Sequence, residues 1–219
     1  MLFRSETIYF VNPSKTRVLD AVRFEGQARG VSTGRSPDGA PGFDELVSVT
    51  PGAKNAGILT REIVINEIMY APLRGNSEEE FVELYNRGVA PVNVGGWKFT
   101  SGISYTIPPN TVIQGGGYLV VAKSVAYMLT NYPNLSSANC VGDYSGTLSN
   151  TRDHIALSMR DELYATNGVT VTTNAIWVVV DEVAYRDGGR WPELADGGGS
   201  SLDRKSTRLN SSHQIISYA

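Results

Sequence analysis

Short runs rich in β-branched and aromatic residues alternate along this chain with clusters of glycine, proline and asparagine. Residues 63–70, 81–86 and 118–122 are such runs. Side chains that branch at Cβ fit the half-buried surface of a sheet, and the clusters between the runs supply turns. About seven to nine strands of this kind predict an all-β fold in which two sheets pack face to face. Only residues 124–131 are expected to form a short helix.

Three aromatic residues are expected in the core of this sandwich: Trp97, Phe81 and Tyr118. Successive side chains of a strand point to opposite faces of the sheet, so residues two apart share a face. The run that begins at Phe81 therefore places Phe81, Glu83 and Tyr85 on one face.

An internal repeat predicts the domain organisation. Its pattern is an acid-led strand, a strand with a central aspartate, a Gly-Arg-x-Pro segment and an Asp-Gly turn. The pattern occurs first in residues 6–9, 17–24 and 34–39, and again in residues 153–157, 179–185 and 189–198. The second occurrence contains an insertion at residues 163–176, for which no role is predicted.

We interpret the repeat as two copies of one domain in tandem, of which the first lacks its N-terminal half. Residues 50–60 are rich in proline, glycine and asparagine, which is typical of a linker. The predicted ranges are a C-terminal part of the first copy at 1–49, the linker at 50–60, and a nearly complete copy at 61–202.

The sequence pattern of the last residues, 203–219, differs from that of the rest of the chain. Residues 203–213 resemble the translation of a sequencing-library adapter, and residues 203–219 are therefore expected to be an adapter-derived, disordered segment. The chain has a net charge of −3. The three basic residues and one acidic residue of this segment contribute +2, so the remainder carries −5. A negative balance disfavours a nucleic-acid partner, because phosphate binding needs a basic face.

Cys140 is the only cysteine of the sequence and cannot form an internal disulfide. It is expected to be a free, buried thiol, with an intermolecular disulfide as the alternative. The cysteine content therefore does not identify a cellular compartment.

A set of segments carries a resemblance to a known family. They are Ile63-Val64-Ile65-Asn66-Glu67-Ile68-Met69-Tyr70, Glu80-Phe81-Val82-Glu83-Leu84-Tyr85-Asn86, Val94-Gly95-Gly96-Trp97, and Gly116-Gly117-Tyr118-Leu119-Val120-Val121-Ala122. Together they resemble the bacterial lamin tail domain. The resemblance implies an immunoglobulin-like sandwich without catalytic residues.

The resemblance also implies a class of function. Bacterial domains of this type are similar to accessory modules of large secreted or envelope proteins. We therefore expect a non-catalytic binding or scaffolding module of a secreted or cell-surface protein, with a protein or cell-wall polysaccharide as partner. One alternative is an accessory domain of a secreted hydrolase, nuclease or spore-coat-kinase-like enzyme. Another is DNA binding by analogy with the nuclear lamins.

An acidic cluster is the candidate metal or structural site, and it comprises Glu67, Glu78, Glu79, Glu80 and Glu83. Calcium takes several carboxylate and carbonyl oxygens at once, which makes it the candidate cation. The alternative is a solvated loop with a hydrogen-bond network between the first two strands. Otherwise no cofactor is expected.

Exposed aromatic side chains are the other candidate binding residues, because a flat ring covers a large area at low entropic cost. They are Tyr127, Tyr132, Tyr144, Tyr164 and Trp191. The alternative is that most of these rings cap the ends of the sandwich. His154, the only histidine before residue 203, is expected on a strand surface rather than in a zinc site, which needs several ligands.

Overall fold

The computed structural model describes residues 5–166, 171–186 and 201–203. These residues divide into two compact units. The first unit combines residues 5–60 with the described part of 160–178, and the second combines residues 61–159 with the described part of 179–203. The domain ranges given above stay a prediction. Apart from Asp203, the segment 203–219 lies outside the described residues.

The first unit contains two antiparallel strand pairs. Strand β1 (Ser5–Val11) pairs with β2 (Val18–Glu25), and β3 (Ser32–Gly34) pairs with β4 (Asp44–Leu46). The side chain of Asn12 accepts hydrogen bonds from the backbone N–H groups of two later turn residues, which closes the connection between β1 and β2. The turn of this hairpin is therefore stabilised by contacts between residues that are close in sequence.

The second unit is built mainly from short strands. They are β5 (Ile63–Met69), β6 (Phe81–Asn86), β7 (Val92–Asn93), β8 (Lys98–Ser101), β9 (Val112–Ile113), β10 (Tyr118–Ala122), β11 (Cys140–Gly142), parts of β12 (Arg152–Thr166) and β13 (Val171–Arg186), and β14 (Leu202–Asp203). Two 3₁₀ turns, Leu73–Gly75 and Ser77–Glu79, lie between β5 and β6.

Two larger sheets organise the described part of this unit. One has the strand order β11-β10-β6-β5-β14, and the other has the order β13-β12-β8. Strands β10 and β11 run parallel, whereas the β5–β6, β6–β10 and β5–β14 pairs are antiparallel. Strands β7 and β9 form a separate pair.

The main hydrophobic core contains residues of both larger sheets. Val82, Leu84, Leu119 and Val121 come from the five-stranded sheet, and residues such as Leu157 come from the three-stranded one. Full burial of one such side chain stabilises the fold by about 1.5–3 kcal/mol relative to exposure. The predicted two-sheet, immunoglobulin-like sandwich is confirmed.

A β-bulge in β5 decides which of its side chains face this core. The pairing register between β5 and β6 shifts between Ile65 and Glu67. Ile63 and Ile65 lie in the main core before the shift, and Ile68 and Tyr70 lie in it after the shift. One extra residue thus exchanges the two faces of the strand, because side chains alternate with a period of two.

The predicted short helix is confirmed as α1 (Val125–Asn131). The Ser124 hydroxyl caps it by accepting a hydrogen bond from the N–H of Tyr127 at 3.3 Å. No helix in the described part of the chain is long and apolar enough to span a membrane.

The insertion at 163–176 lengthens the hairpin of β12 and β13. Its described residues continue both strands, and the described part of 160–178 belongs to the first unit. Within that unit, a carboxylate oxygen of Asp161 accepts a hydrogen bond from the N–H of Arg29 at 2.7 Å. The insertion is therefore structured as a strand extension where it is described.

The three aromatic residues expected in the core have different environments. Phe81 is buried, but in a second hydrophobic cluster beneath α1, and Trp97 is partly buried against the main core. Tyr118 has 51% of its surface exposed, so its assignment to the core was wrong. Its neighbour Leu119 points inward, and Tyr118 must then point outward.

Candidate functional site

The candidate site lies on the outer face of the five-stranded sheet, opposite the main core. Tyr118 of β10 pairs with Tyr85 of β6, and two residues along, Val120 pairs with Glu83. On the other side of β6, Glu83 pairs with Glu67 of β5. The inward orientation of the intervening residues on β6 and β10 fixes these side chains on the outside.

Helix α1 covers one end of this outer face. Met128 of the helix is buried in a cluster with Met69, Phe81, Val120 and other residues of the sheet. The amphipathic helix thus removes apolar surface from water at this end of the sheet and leaves the other end open.

Tyr85 and Tyr118 form an aromatic pair at the open end. Their ring centroids are 4.7 Å apart with an interplanar angle of 27°, which is a stacked arrangement. Tyr118 is half exposed and Tyr85 is partly buried. A stacked pair with one half-exposed ring offers an aromatic surface to a ligand.

Two carboxylates adjoin the aromatic pair. Glu83 accepts a hydrogen bond from the side-chain amide of Asn66 at 2.8 Å, and Glu67 accepts one from the hydroxyl of Ser201. Both glutamates are partly buried. Like charges on directly paired positions repel, and these neutral donors offset part of that cost.

Two further tyrosines extend the surface along α1. The phenol of Tyr127 donates a hydrogen bond to Glu79 at 2.8 Å, and this bond is the main cause of the raised pKa of Tyr127. The pKa of Tyr132 is raised first by burial and then by the negative charges of Glu79 and Glu67. Both carboxylates therefore act on the Tyr132 phenol through their charge.

We call this surface the Tyr–Glu strip. Its members are connected by cross-strand pairing, ring stacking, hydrogen bonds or the effect of charge on a pKa. They are Tyr118, Tyr85, Glu83, Glu67, Tyr132, Glu79 and Tyr127. The strip therefore presents phenol rings and hydrogen-bond acceptors together, with a negative charge.

Glu80 lies apart from the strip and faces inward. Its carboxylate accepts hydrogen bonds from the phenol of Tyr144 at 3.0 Å and from the N–H of Leu148 at 3.1 Å. Burial raises the pKa of the Glu80 carboxyl, while the two hydrogen bonds and the charge of Lys123 oppose this rise. Tyr144 is only 3% exposed, so its expected role as an exposed binding residue was wrong.

The loop after β11 is held by this arrangement. The ammonium group of Lys123 donates hydrogen bonds to the backbone oxygens of Tyr144 and Gly146. Burial and the nearby carboxylate of Glu80 both raise the pKa of the Tyr144 phenol. Glu80, which precedes β6, and Lys123, which follows β10, thus hold this loop in place through hydrogen bonds.

Comparison with models of known protein families identifies the family of this chain. The model of the lamin tail domain matches residues 59–185. The chain belongs to the lamin tail domain family. The match covers β5 to β13 and so includes every residue of the Tyr–Glu strip. Searches of curated proteins and of solved structures gave no match. The lamin tail domain is an immunoglobulin-like, non-catalytic domain.

The predicted acidic cluster is divided within the lamin tail domain. Glu67, Glu79 and Glu83 belong to the strip, Glu80 is buried, and Glu78 is exposed in a 3₁₀ turn. Among the described residues, no three histidine, cysteine, aspartate or glutamate side chains are grouped so that they could hold a metal ion. Four of the five carboxylates accept hydrogen bonds, namely those of Glu67, Glu79, Glu80 and Glu83.

The other predicted residues have these places. Tyr127 and Tyr132 lie in the strip, whereas the side chain of Tyr164 and all of Trp191 lie outside the described residues. His154 lies on the strand surface as predicted, where its Nε2 is 3.1 Å from a carboxylate oxygen of Glu182.

The sequence analysis did not include Tyr85 and Tyr118 among the candidate binding residues. The alternation that places Glu83 and Tyr85 on one face was visible in the sequence. The missing information was which face of β6 and β10 is directed to water, because both faces of these strands carry apolar residues.

Proposed function

We propose that this lamin tail domain is a non-catalytic binding module of a secreted or cell-surface bacterial protein, and that the Tyr–Glu strip binds a polysaccharide. The observation that carries the proposal is the stacked pair Tyr85–Tyr118 beside the carboxylates of Glu83 and Glu67. The bacterial resemblance supports the location outside the cell.

The chemistry of the strip suits a sugar chain. The ring faces of pyranose sugars are apolar and stack on aromatic side chains, while their hydroxyl groups donate hydrogen bonds to carboxylates. The strip supplies both groups on one sheet face. A rigid sheet also positions them without the entropic cost of ordering a loop.

The same surface disfavours DNA as the partner. Phosphate groups would be repelled by Glu67, Glu79 and Glu83, and binding to phosphates normally needs lysine or arginine. A role as the accessory domain of a secreted enzyme is compatible with polysaccharide binding, since the module would then hold that enzyme at its substrate. Sequencing the DNA on both sides of this coding region would identify a signal peptide or a neighbouring catalytic domain.

The test is binding of the full chain to an array of neutral, amino and acidic polysaccharides, including insoluble cell wall. We expect Tyr118→Ala to weaken binding about 30-fold, because an aromatic hot spot contributes about 2 kcal/mol. The matched control is Val112→Ala on β9, which removes an exposed apolar side chain outside the strip. Equal binding by the two variants, or no binding of the unaltered chain to any polysaccharide, would contradict the proposal.

A salt titration separates the two partner classes expected from the sequence. Binding to a neutral sugar should be nearly unchanged as sodium chloride rises, whereas a basic protein partner of this acidic strip should dissociate. Binding found only with cationic peptides and lost at high salt would assign the strip to a protein partner.

A further inference from the structure

The hairpin of β1 and β2 in the first unit carries exposed apolar side chains. Ile8 pairs with Val22, and the adjacent pairs in register are Phe10 with Asp20 and Glu6 with Phe24. These side chains share one face, since they alternate with the others along each strand. Ile8 is 58% exposed and Phe10 is 66% exposed.

A two-stranded hairpin is only marginally stable when its apolar face lies in water. We call the side chains of Ile8, Phe10, Val22 and Phe24 the ribbon face. Contiguous exposed apolar side chains are a feature of interaction sites.

The internal repeat gives each residue of the ribbon face a counterpart in the second unit. In the alignment of residues 6–10 with 153–157 and of 18–24 with 179–185, the counterparts are Ile155, Leu157, Val183 and Tyr185. All four counterparts are buried in the main core, at 5% exposure or less. The same pattern of side chains is therefore buried in one copy, whereas in the other Ile8 and Phe10 are exposed and Val22 and Phe24 are only partly buried.

The inward side chains of the five-stranded sheet share the main core with these counterparts. Val82 and Leu84 of β6 and Leu119 and Val121 of β10 belong to the same cluster as Ile155 and its neighbours. The ribbon face should therefore pack against the core-facing side of a sheet that resembles the one formed by β5, β6 and β10.

A polar contact at another position of the same alignment gives a further indication. Asp181 of β13 accepts a hydrogen bond from the N–H of Ile65, beside the bulge in β5, at 2.8 Å. Asp20 holds the equivalent position on β2, and its side chain is 58% exposed and pairs with Arg35 at 3.0 Å. The hairpin thus carries an aspartate at the position whose counterpart in the second unit accepts the N–H of a bulged strand.

We propose that the ribbon face docks onto the inner face of a second lamin-tail sheet, equivalent to residues 61–148 and located ahead of β1 in the same polypeptide. The ribbon would then complete a sandwich of its own, as β12 and β13 do in the second unit. A second copy of this chain is a poor occupant, since its five-stranded sheet is already covered by its own core residues.

The experiment adds a repeat of residues 61–148 directly ahead of residue 1 of the full chain. Hydrogen exchange is then followed in peptides covering residues 6–10 and 19–24, which occur once in the extended chain. We expect their exchange to slow by at least about tenfold, together with a loss of fluorescence from an apolar dye. Unchanged exchange and unchanged dye fluorescence would overturn the proposal.

Two controls keep the result specific. Leu84→Asp in the added copy alone should restore fast exchange, because it disrupts the inner face of that sheet. The pair Ile8→Ser and Phe10→Ser should do the same from the ribbon side. If the unextended chain instead forms a dimer in which these peptides become protected, a second copy is the occupant and the proposal is wrong.

Discussion

The phenol of Tyr144 donates a hydrogen bond to the carboxylate of Glu80 over 3.0 Å, and both side chains are almost completely buried. Glu80 directly precedes β6, whereas Tyr144 belongs to the loop after β11. A buried acid needs such donors, since an unpaired polar group in the interior costs about 1–3 kcal/mol. The contact therefore joins two distant parts of the lamin tail domain.

Glu80→Gln should change the pH dependence of stability. Burial raises the pKa of Glu80 above its usual value of 4.5. The folded state then keeps the proton to higher pH than the unfolded state, so the free energy of unfolding falls as pH rises from about 4.5 through the raised pKa. Glutamine has no such titration, and urea unfolding from about pH 4 to about pH 8 should show a smaller decline. Glu78→Gln, in an exposed turn, should keep the original decline.

Tyr144→Phe should lower the free energy of unfolding by about 1–3 kcal/mol at neutral pH, because the carboxylate of Glu80 loses a donor inside the protein. Tyr127→Phe is the matched control. It removes a phenol whose partner, Glu79, is only partly buried, and should cost less than about 1 kcal/mol. Equal losses in the two variants would argue against the importance of the buried bond.

Asp181→Ala should destabilise the second unit by about 1–3 kcal/mol, measured by chemical denaturation. The substitution leaves the N–H of Ile65 without the acceptor that it has at 2.8 Å. The neighbouring Glu182 is more exposed and contacts His154 on the surface. Glu182→Ala should therefore change stability by no more than about 0.5 kcal/mol.

Cys140 should react slowly with thiol reagents in the folded chain. It is a free cysteine that is 3% exposed, and burial is the main cause of its raised thiol pKa, with a smaller contribution from Asp143. Since the thiolate is the reactive form, we expect modification at least about a hundredfold slower than in denaturant. Rapid labelling of the native chain would show that β11 opens readily.

Gly115→Ala should destabilise the fold by about 1–3 kcal/mol, because a Cβ atom at this position would overlap the backbone of Val89. Gly57→Ala is the comparison, since no atom lies within 4 Å of its added Cβ. Thermal unfolding should lower the midpoint for the first variant and leave the second nearly unchanged. Similar midpoints would mean that the turn before β10 can relax.

Local patterns predicted several elements correctly. A short helix was expected at residues 124–131, where α1 lies with Ser124 as its cap. The alternation of β6 predicted which of its residues share a face. Such features depend on dihedral preferences and side-chain periodicity within a few residues. The sequence could therefore predict them without knowledge of the partner strands.

Tyr118 and Tyr144 show where local patterns were insufficient. Tyr118 stands at the start of an apolar run and was expected in the core, but the pairing of β10 with β6 turned it outward beside Tyr85. Tyr144 stands in a loop and was expected in solvent, but Glu80, 64 residues earlier, binds its phenol inside the domain. The residues next to Tyr118 and Tyr144 in the sequence determine neither the exposure of the first nor the burial of the second.

The amino-acid sequence by itself determined the strand-rich architecture and the family. These depend on residue types and their order. The tertiary structure decided which glutamates are buried, which tyrosines meet on the outer sheet face, and which apolar hairpin face is covered. Those distinctions arise only when strands distant in sequence pair and exclude water, because burial and like-charge proximity are properties of the assembled sheets.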